Sequence, residues 1–181
     1  LGANVYILDI DLERLRYLSD VLPANCFVVM SSPATIRDLI VKADVVVGAA
    51  LIPGARTPVL VTRVMLKNMK KGAVLVDVAI DQGGCFESSK ETTHHQPTYI
   101  LEGIVHYGVS NMPGAVPRTS SLALTNATLP YVLELADKGW RKAMQENGAI
   151  KRGANVLKGK VTFKGVADAL DLEFTSVDSL L

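Results

Sequence analysis

The apolar residues of this chain fall into short uninterrupted runs separated by stretches of helical spacing, and that alternation is its main structural signal. Asn4 to Asp9 reads as a strand, and Asp11 then offers an N-cap for a helix through about Leu22, in which Leu12, Leu15, Leu18 and Leu22 recur at helical spacing. Cys26 to Met30 is a second strand. Ser32 as N-cap and Pro33 at the first helical position open a helix through about Lys42. Asp44 to Gly48 is a third strand, and a loop containing Pro53, Gly54 and Pro58 leads to a helix from about Thr62 to Met69, ended by Gly72. Ala73 to Val78 is a fourth strand, buried on both faces by its composition. Strand and helix in this rhythm predict right-handed βαβ units and an α/β, Rossmann-like, doubly wound parallel sheet. Beyond Pro117 the character changes. A helical stretch from Thr119 to about Asn147 places Leu129, Val132, Leu133 and Ala136 on one face that suits burial. The reading sets a domain boundary near Pro117, with residues 1–117 as the sheet domain and 118–181 as a C-terminal helical segment. Val161 to Leu181 carries a short helix around Gly165 to Leu170 and then an exposed tail without chemistry.

Composition narrows the classes. A chain of 181 residues with 49% hydrophobic content can bury a substantial core. Its 19 basic and 18 acidic residues leave a net charge of +1, so no global field draws it to nucleic acid or to an anionic membrane surface. No apolar run approaches the ~18 residues of a membrane span, and no basic stretch followed by a cleavable apolar segment opens the chain, which predicts a soluble, cytoplasmic protein. Cys26 and Cys85 read as thiols, and His94, His95 and His106 lack partners at zinc spacing, so no metal site is expected. His106 reads as a packed strand residue. The chain begins at Leu1 in the middle of what looks like a structural unit and reads as a fragment.

Chemistry concentrates at two strand exits. Asp77-Val78-Ala79-Ile80-Asp81-Gln82-Gly83-Gly84-Cys85 puts Asp81 just beyond a hydrophobic strand, where ligands lie in open α/β sheets. The glycine pair lets backbone approach a ligand closely. Taken by itself, the same run also reads as a plain Asp-Gln-Gly-Gly turn capping a strand. The stretch from Val105 to Thr119 (VHYGVSNMPGAVPRT) is another short apolar strand that ends in small and polar residues, and the two exits could face one crevice.

These stretches together resemble alanine dehydrogenases, which oxidise L-alanine to pyruvate and ammonia with NAD. The resemblance extends to Asp44 to Ala55 (DVVVGAALIPGA) and to Leu122 to Tyr131 (LALTNATLPY), and it spans nearly the whole chain. It implies an NAD-binding role for residues 1–117, with 118–181 returning to a separate substrate domain. Asp9, at the end of the first visible strand, would accept hydrogen bonds from the adenosine ribose hydroxyls and favour NAD over NADP. Arg14 aligns with a basic residue that contacts the cofactor in the family. The remaining implied cofactor contacts are Ser31, Ala50, Leu51, Val78, Ala79, Ile80, Asp81, Lys90, Val109, Ser110, Asn111 and Met112, which follow strand exits apart from Lys90. Three positions depart from the family pattern: Ala50 stands for Val, Ser110 for Ala, and Lys90 for an arginine, whose planar two-pronged contact an ammonium does not reproduce.

By the same resemblance Asp81 is the catalytic acid/base beside the nicotinamide, acting with a histidine of the substrate domain. The first strand with its glycine-rich phosphate loop is expected immediately before Leu1, and the Lys, Arg and His that hold the keto acid are expected further upstream. The complete protein is expected to be a homo-oligomer, commonly a hexamer. Two other readings stay open: the NAD(H)-binding alpha subunit of a proton-translocating transhydrogenase, which shares the fold, and a truncated, non-catalytic binding or assembly protein.

Overall fold

The computed structural model describes residues 2–52 and 56–181. Pro53, Gly54 and Ala55, which belong to the loop and to the stretch singled out above, lie outside the described residues, as does Leu1. The chain opens with β1 (Val5–Asp9), α1 (Leu12–Val21), β2 (Cys26–Met30) and α2 (Pro33–Ile40). Both helices start where their caps predict. Asp11 Oδ1 accepts the N–H groups of Glu13 at 2.9 Å and Arg14 at 3.1 Å, and Ser32 Oγ accepts that of Thr35 at 3.1 Å, satisfying donors that have no partner inside the helix. β3 (Val45–Gly48) follows, then α3 (Arg63–Leu66) and β4 (Val74–Asp77). α3 is shorter than the expected Thr62 to Met69. Thr62 provides no side-chain cap, and the N–H groups of Asn68 and Met69 turn to the carbonyls three residues back, so the segment closes as tight turns.

β1 and β2 pair in parallel, Val5 opposite Cys26 and Asp9 opposite Met30. A separate four-stranded sheet has the order β3-β4-β6-β5, with β5 (Thr98–Leu101) and β6 (Ile104–Tyr107). β3, β4 and β6 run parallel, as the Rossmann-like reading requires, while β5 is an antiparallel edge strand. β5 escaped the sequence reading although its signal is present: Glu102-Gly103 separates two apolar runs, and both residues adopt the positive φ of a two-residue hairpin turn. Register fixes where the exits fall. Gly48 lies opposite Asp77 and Val76 opposite Tyr107, so the carboxyl ends of β3, β4 and β6 come level along one edge.

The main core lies under this sheet and contains Ile40, Val61, Leu66, Leu75, Phe86 and Ile104, with Ile36 and Val46 packed against it. α2 therefore docks on the larger sheet, and complete burial of Leu66 or Ile104 is worth about 1.5–3 kcal/mol apiece.

α4 (Pro117–Glu146) starts at the proline and breaks helical geometry at Gly139. The expected buried face is absent: Leu129, Val132 and Leu133 are about half exposed and Ala136 is exposed, since no described residue packs over them. A second, smaller core forms instead after the break, from Ala143 and Met144 of α4, Ile150 of α5 (Gly148–Arg152), and Leu157 of the hairpin β7 (Val156–Leu157) and β8 (Lys160–Val161). α6 (Lys164–Leu170) follows as expected, but the tail beyond it is not simply exposed. Val177 is buried in this core, Leu180 and Leu181 pack against it, and Asp178 pairs with Lys151.

Candidate active site

The site is built from the level strand ends. β4 delivers Asp77, after which Ile80–Gln82 form one tight 3-10 turn that lifts Asp81 into solvent. β6 delivers Gly108, Val109, Ser110 and Asn111 to the same edge. The two exits meet: Ser110 Oγ donates to Asp81 Oδ1 at 2.6 Å, and the Asn111 N–H lies 3.3 and 3.4 Å from the two carboxylate oxygens. Asn111 reaches this position in the left-handed conformation (φ 51°, ψ 55°), which asparagine tolerates better than most residues. Its carbonyl in turn accepts a 3.1 Å hydrogen bond from His94 Nε2. A carboxylate held by an O–H and an N–H keeps its orientation, and Oδ2, which takes only the long contact from Asn111, retains a lone pair for a proton.

The second cluster sits at the exits of β1 and β2. Asp9 Oδ1 accepts the N–H groups of Ile10 at 2.7 Å and Asp11 at 3.0 Å, so one oxygen shapes the turn into α1. Among the described residues, Oδ2 takes no hydrogen bond. Such an oxygen suits a diol, and this half-buried carboxylate therefore fits the ribose of a dinucleotide. Ser31 donates its N–H to the Asp9 carbonyl at 2.8 Å, which brings these two predicted residues side by side. Arg14 is exposed one turn into α1, with its guanidinium 5.7 Å from the centre of the Tyr17 ring.

The other predicted contacts divide by burial. Leu51 and Val78 are well exposed at the ends of β3 and β4, Met112 is half-buried at the start of a short 3-10 turn, and Lys90 is exposed on the loop before β5. Ala50 packs against the core, and its carbonyl faces the Cys85 thiol. The side chains of Ala79, Ile80 and Val109 are buried, so what these positions present at the strand exits is backbone. The carbonyls of Ala79 and Ile80 already accept N–H groups of Gln82, Gly83 and Gly84 within the turn.

A buried polar layer under the loop was not legible as such in the sequence. Asp77, only 2% exposed, accepts the N–H of Ala79 at 3.1 Å on Oδ1, and on Oδ2 the N–H of Cys85 at 2.8 Å and the hydroxyl of Ser89. Beside it Ser88 Oγ meets His106 Nε2 at 2.8 Å. Since His106 Nδ1 lies 3.0 Å from the Ile104 carbonyl, an acceptor, Nδ1 carries the proton and Nε2 accepts from Ser88. Burial holds the His106 imidazole below its ordinary pKa, the Ile104 carbonyl acting in the opposite sense. The Cys85 thiol is pushed up by burial, and further by the Asp77 charge. His106 is thus the packed strand residue that was expected, stacked on Tyr99 at 4.8 Å.

Known proteins resemble this chain in sequence and fold. An alanine dehydrogenase of Staphylococcus haemolyticus (strain JCSC1435) is 55% identical over the whole chain, and alanine dehydrogenase 2 of Staphylococcus aureus (strain USA300) is 54% identical. The chain spans about half the length of these curated relatives, 49% in each case. Among solved structures, an L-alanine dehydrogenase superimposes with a TM-score of 0.81 at 45% identity, over 94% of this chain and 47% of that one. A transhydrogenase from Sinorhizobium meliloti superimposes less closely, with a TM-score of 0.63 at 28% identity over 72% of this chain and 37% of that one. The family described as "Alanine dehydrogenase/PNT, C-terminal domain" matches residues 1–164, and with its Rossmann-like sheet and its carboxylate at the strand exits the chain belongs to that family.

Proposed function

We propose that this chain is the dinucleotide-binding half of an NAD-dependent L-alanine dehydrogenase, interconverting L-alanine with pyruvate and ammonia. The observation that carries the reading is the Asp81 carboxylate, fixed between the exits of β4 and β6 by Ser110 and Asn111. The likeness to alanine dehydrogenases along the whole chain supports the same reading, and it exceeds the likeness to the transhydrogenase. NAD, when bound, supplies the acceptor for the hydride that leaves the alanine α-carbon. Asp9 binds the ribose diol through Oδ2, with Ser31 beside it, and Leu51 and Val78, exposed at the ends of β3 and β4, contact the same cofactor. As the amino group becomes an imine, water must add to the carbon and ammonia must leave. Asp81 accepts the first proton of that water at Oδ2 and returns it to the departing nitrogen, then takes the second from the newly formed hydroxyl as the C–N bond breaks and the carbonyl forms, a role typically worth about 10²–10⁴-fold. Residues 118–181 belong on this view to the substrate domain, whose remainder provides a histidine that shares the proton traffic. The complete enzyme is a cytoplasmic homohexamer. No described helix is long and apolar enough to cross a membrane.

The test is Asp81→Asn in the complete enzyme, assayed by alanine-dependent formation of NADH. Turnover falls by at least about 10²-fold while NADH binding persists; unchanged turnover removes Asp81 from the mechanism. A protein that exchanges hydride between two nicotinamide nucleotides but forms no NADH from alanine is a transhydrogenase instead.

A further inference from the structure

We propose that Asp77 is a positioning residue that holds Asp81 at the reaction site by clamping both ends of the loop that carries it. The inference rests on the catalytic reading of Asp81 and extends it to a group that touches neither substrate nor cofactor. Asp77 ends β4 on the same face as Leu75, so its side chain points into the apolar core, an expensive place for a carboxylate unless every lone pair is used. Its three partners are neutral donors spread along the loop. Ala79 precedes the turn that holds Asp81, Cys85 follows it, and Ser89 anchors the next stretch of chain. One buried group thus ties the loop down on both sides of Asp81, and Asp81 itself is caught from above by Ser110 and Asn111. A neutral hydrophobic residue at 77 would pack against Leu75 and Phe86 as well or better, so packing alone does not account for a carboxylate.

The loop's sequence is built around this carboxylate. A Cβ on Gly84 would lie 2.6 Å from Asp77 Oδ2 and 2.8 Å from Ser89 Cβ, so the carboxylate can reach Cys85 only because residue 84 has no side chain. Substitution by asparagine leaves one acceptor for two N–H groups, so whichever way the amide turns, its NH₂ faces the N–H of Ala79 or that of Cys85. The loop then loses its clamp on one side of Asp81. Displacement of a reacting group by about 1 Å can cost on the order of 10²-fold in rate.

The experiment compares Asp77→Asn, Ser89→Ala and Asp81→Asn in the complete enzyme. Three quantities are read: NADH-binding sites per chain by fluorescence titration, AMP affinity by competition against NADH, and alanine turnover per NADH-binding site. Normalising to sites separates positioning from mere loss of folded protein, which lowers the number of sites but not the turnover of each. Asp77→Asn lowers turnover per site by at least about tenfold while AMP, which carries only the adenosine ribose assigned to Asp9, binds within about twofold of wild type. If Asp77→Asn does not fold, Ser89→Ala decides: it removes one of the three bonds and lowers turnover per site about threefold. Turnover per site within about twofold of wild type in a folded Asp77→Asn, or unchanged in Ser89→Ala, overturns the proposal. Asp81→Asn separates the two levels of the argument, because full turnover there overturns the catalytic reading itself, whereas its loss together with a fully active Asp77→Asn overturns only the positioning role.

Discussion

Replacing Gly84 by alanine imposes two penalties that the structure keeps distinct. The first is conformational. Gly84 has φ +77°, where a side chain costs about 1–2 kcal/mol. The second is steric. The added Cβ would sit 2.6 Å from Asp77 Oδ2, well inside contact, so the carboxylate must withdraw and a buried N–H, that of Cys85, loses its acceptor at a cost of about 1–3 kcal/mol. Together they predict destabilisation of about 2–5 kcal/mol. Gly72 supplies the control. Its φ is +82°, yet nothing lies within 4 Å of a Cβ built there, so Gly72→Ala carries the first penalty alone, about 1–2 kcal/mol. Both variants are compared by equilibrium urea unfolding of the complete enzyme at one protein concentration. In addition, Gly84→Ala lowers alanine turnover and Gly72→Ala does not, because only the former disturbs the loop under Asp81. A Gly84→Ala variant no less stable than Gly72→Ala, with normal turnover, would refute the steric coupling between residue 84 and the Asp77 carboxylate.

Three further outcomes follow from the same geometry. Asp9→Asn keeps an acceptor for Ile10 and Asp11 and so preserves the turn, but it weakens NADH binding by about tenfold through loss of a charge-assisted hydrogen bond and narrows the preference over NADPH; unaltered affinity for both nucleotides would remove Asp9 from the site. His106 is held below its unfolded pKa of about 6.5, so the unfolded chain binds the extra proton first and stability falls as pH drops below about 6.5, levelling off beneath the lowered folded value. Thermal unfolding of wild type and His106→Gln between about pH 7.5 and 5 checks this, since the variant's curve should be flatter, and identical slopes would contradict it. The 181-residue chain produced alone binds NADH weakly and forms no NADH from alanine, and alanine-dependent NADH production by it would sink the division of labour proposed for the two halves.

What the sequence determined by itself is whatever depends on near neighbours. Asp11 and Ser32 announce α1 and α2 because a cap acts within a single turn, and the apolar runs announce β1 to β4 because strand and helix impose different periods on adjacent residues. The position of Asp81 at a strand exit was legible for the same reason, and the family resemblance added the role proposed for it. Tertiary structure decided the rest, wherever the relevant partner is remote in the chain. Asp77 ends a hydrophobic run like any strand-end polar residue, and only the return of Cys85 and Ser89 onto the sheet makes it a buried clamp. His94 bears on the site solely because folding brings it to the Asn111 carbonyl, and Val109 offers the site only backbone because its side chain turns into the core. The apolar stripe of α4 shows the converse: periodicity fixes which residues share a face, but burial requires a neighbour, and among the described residues none covers Leu129, Val132 and Leu133.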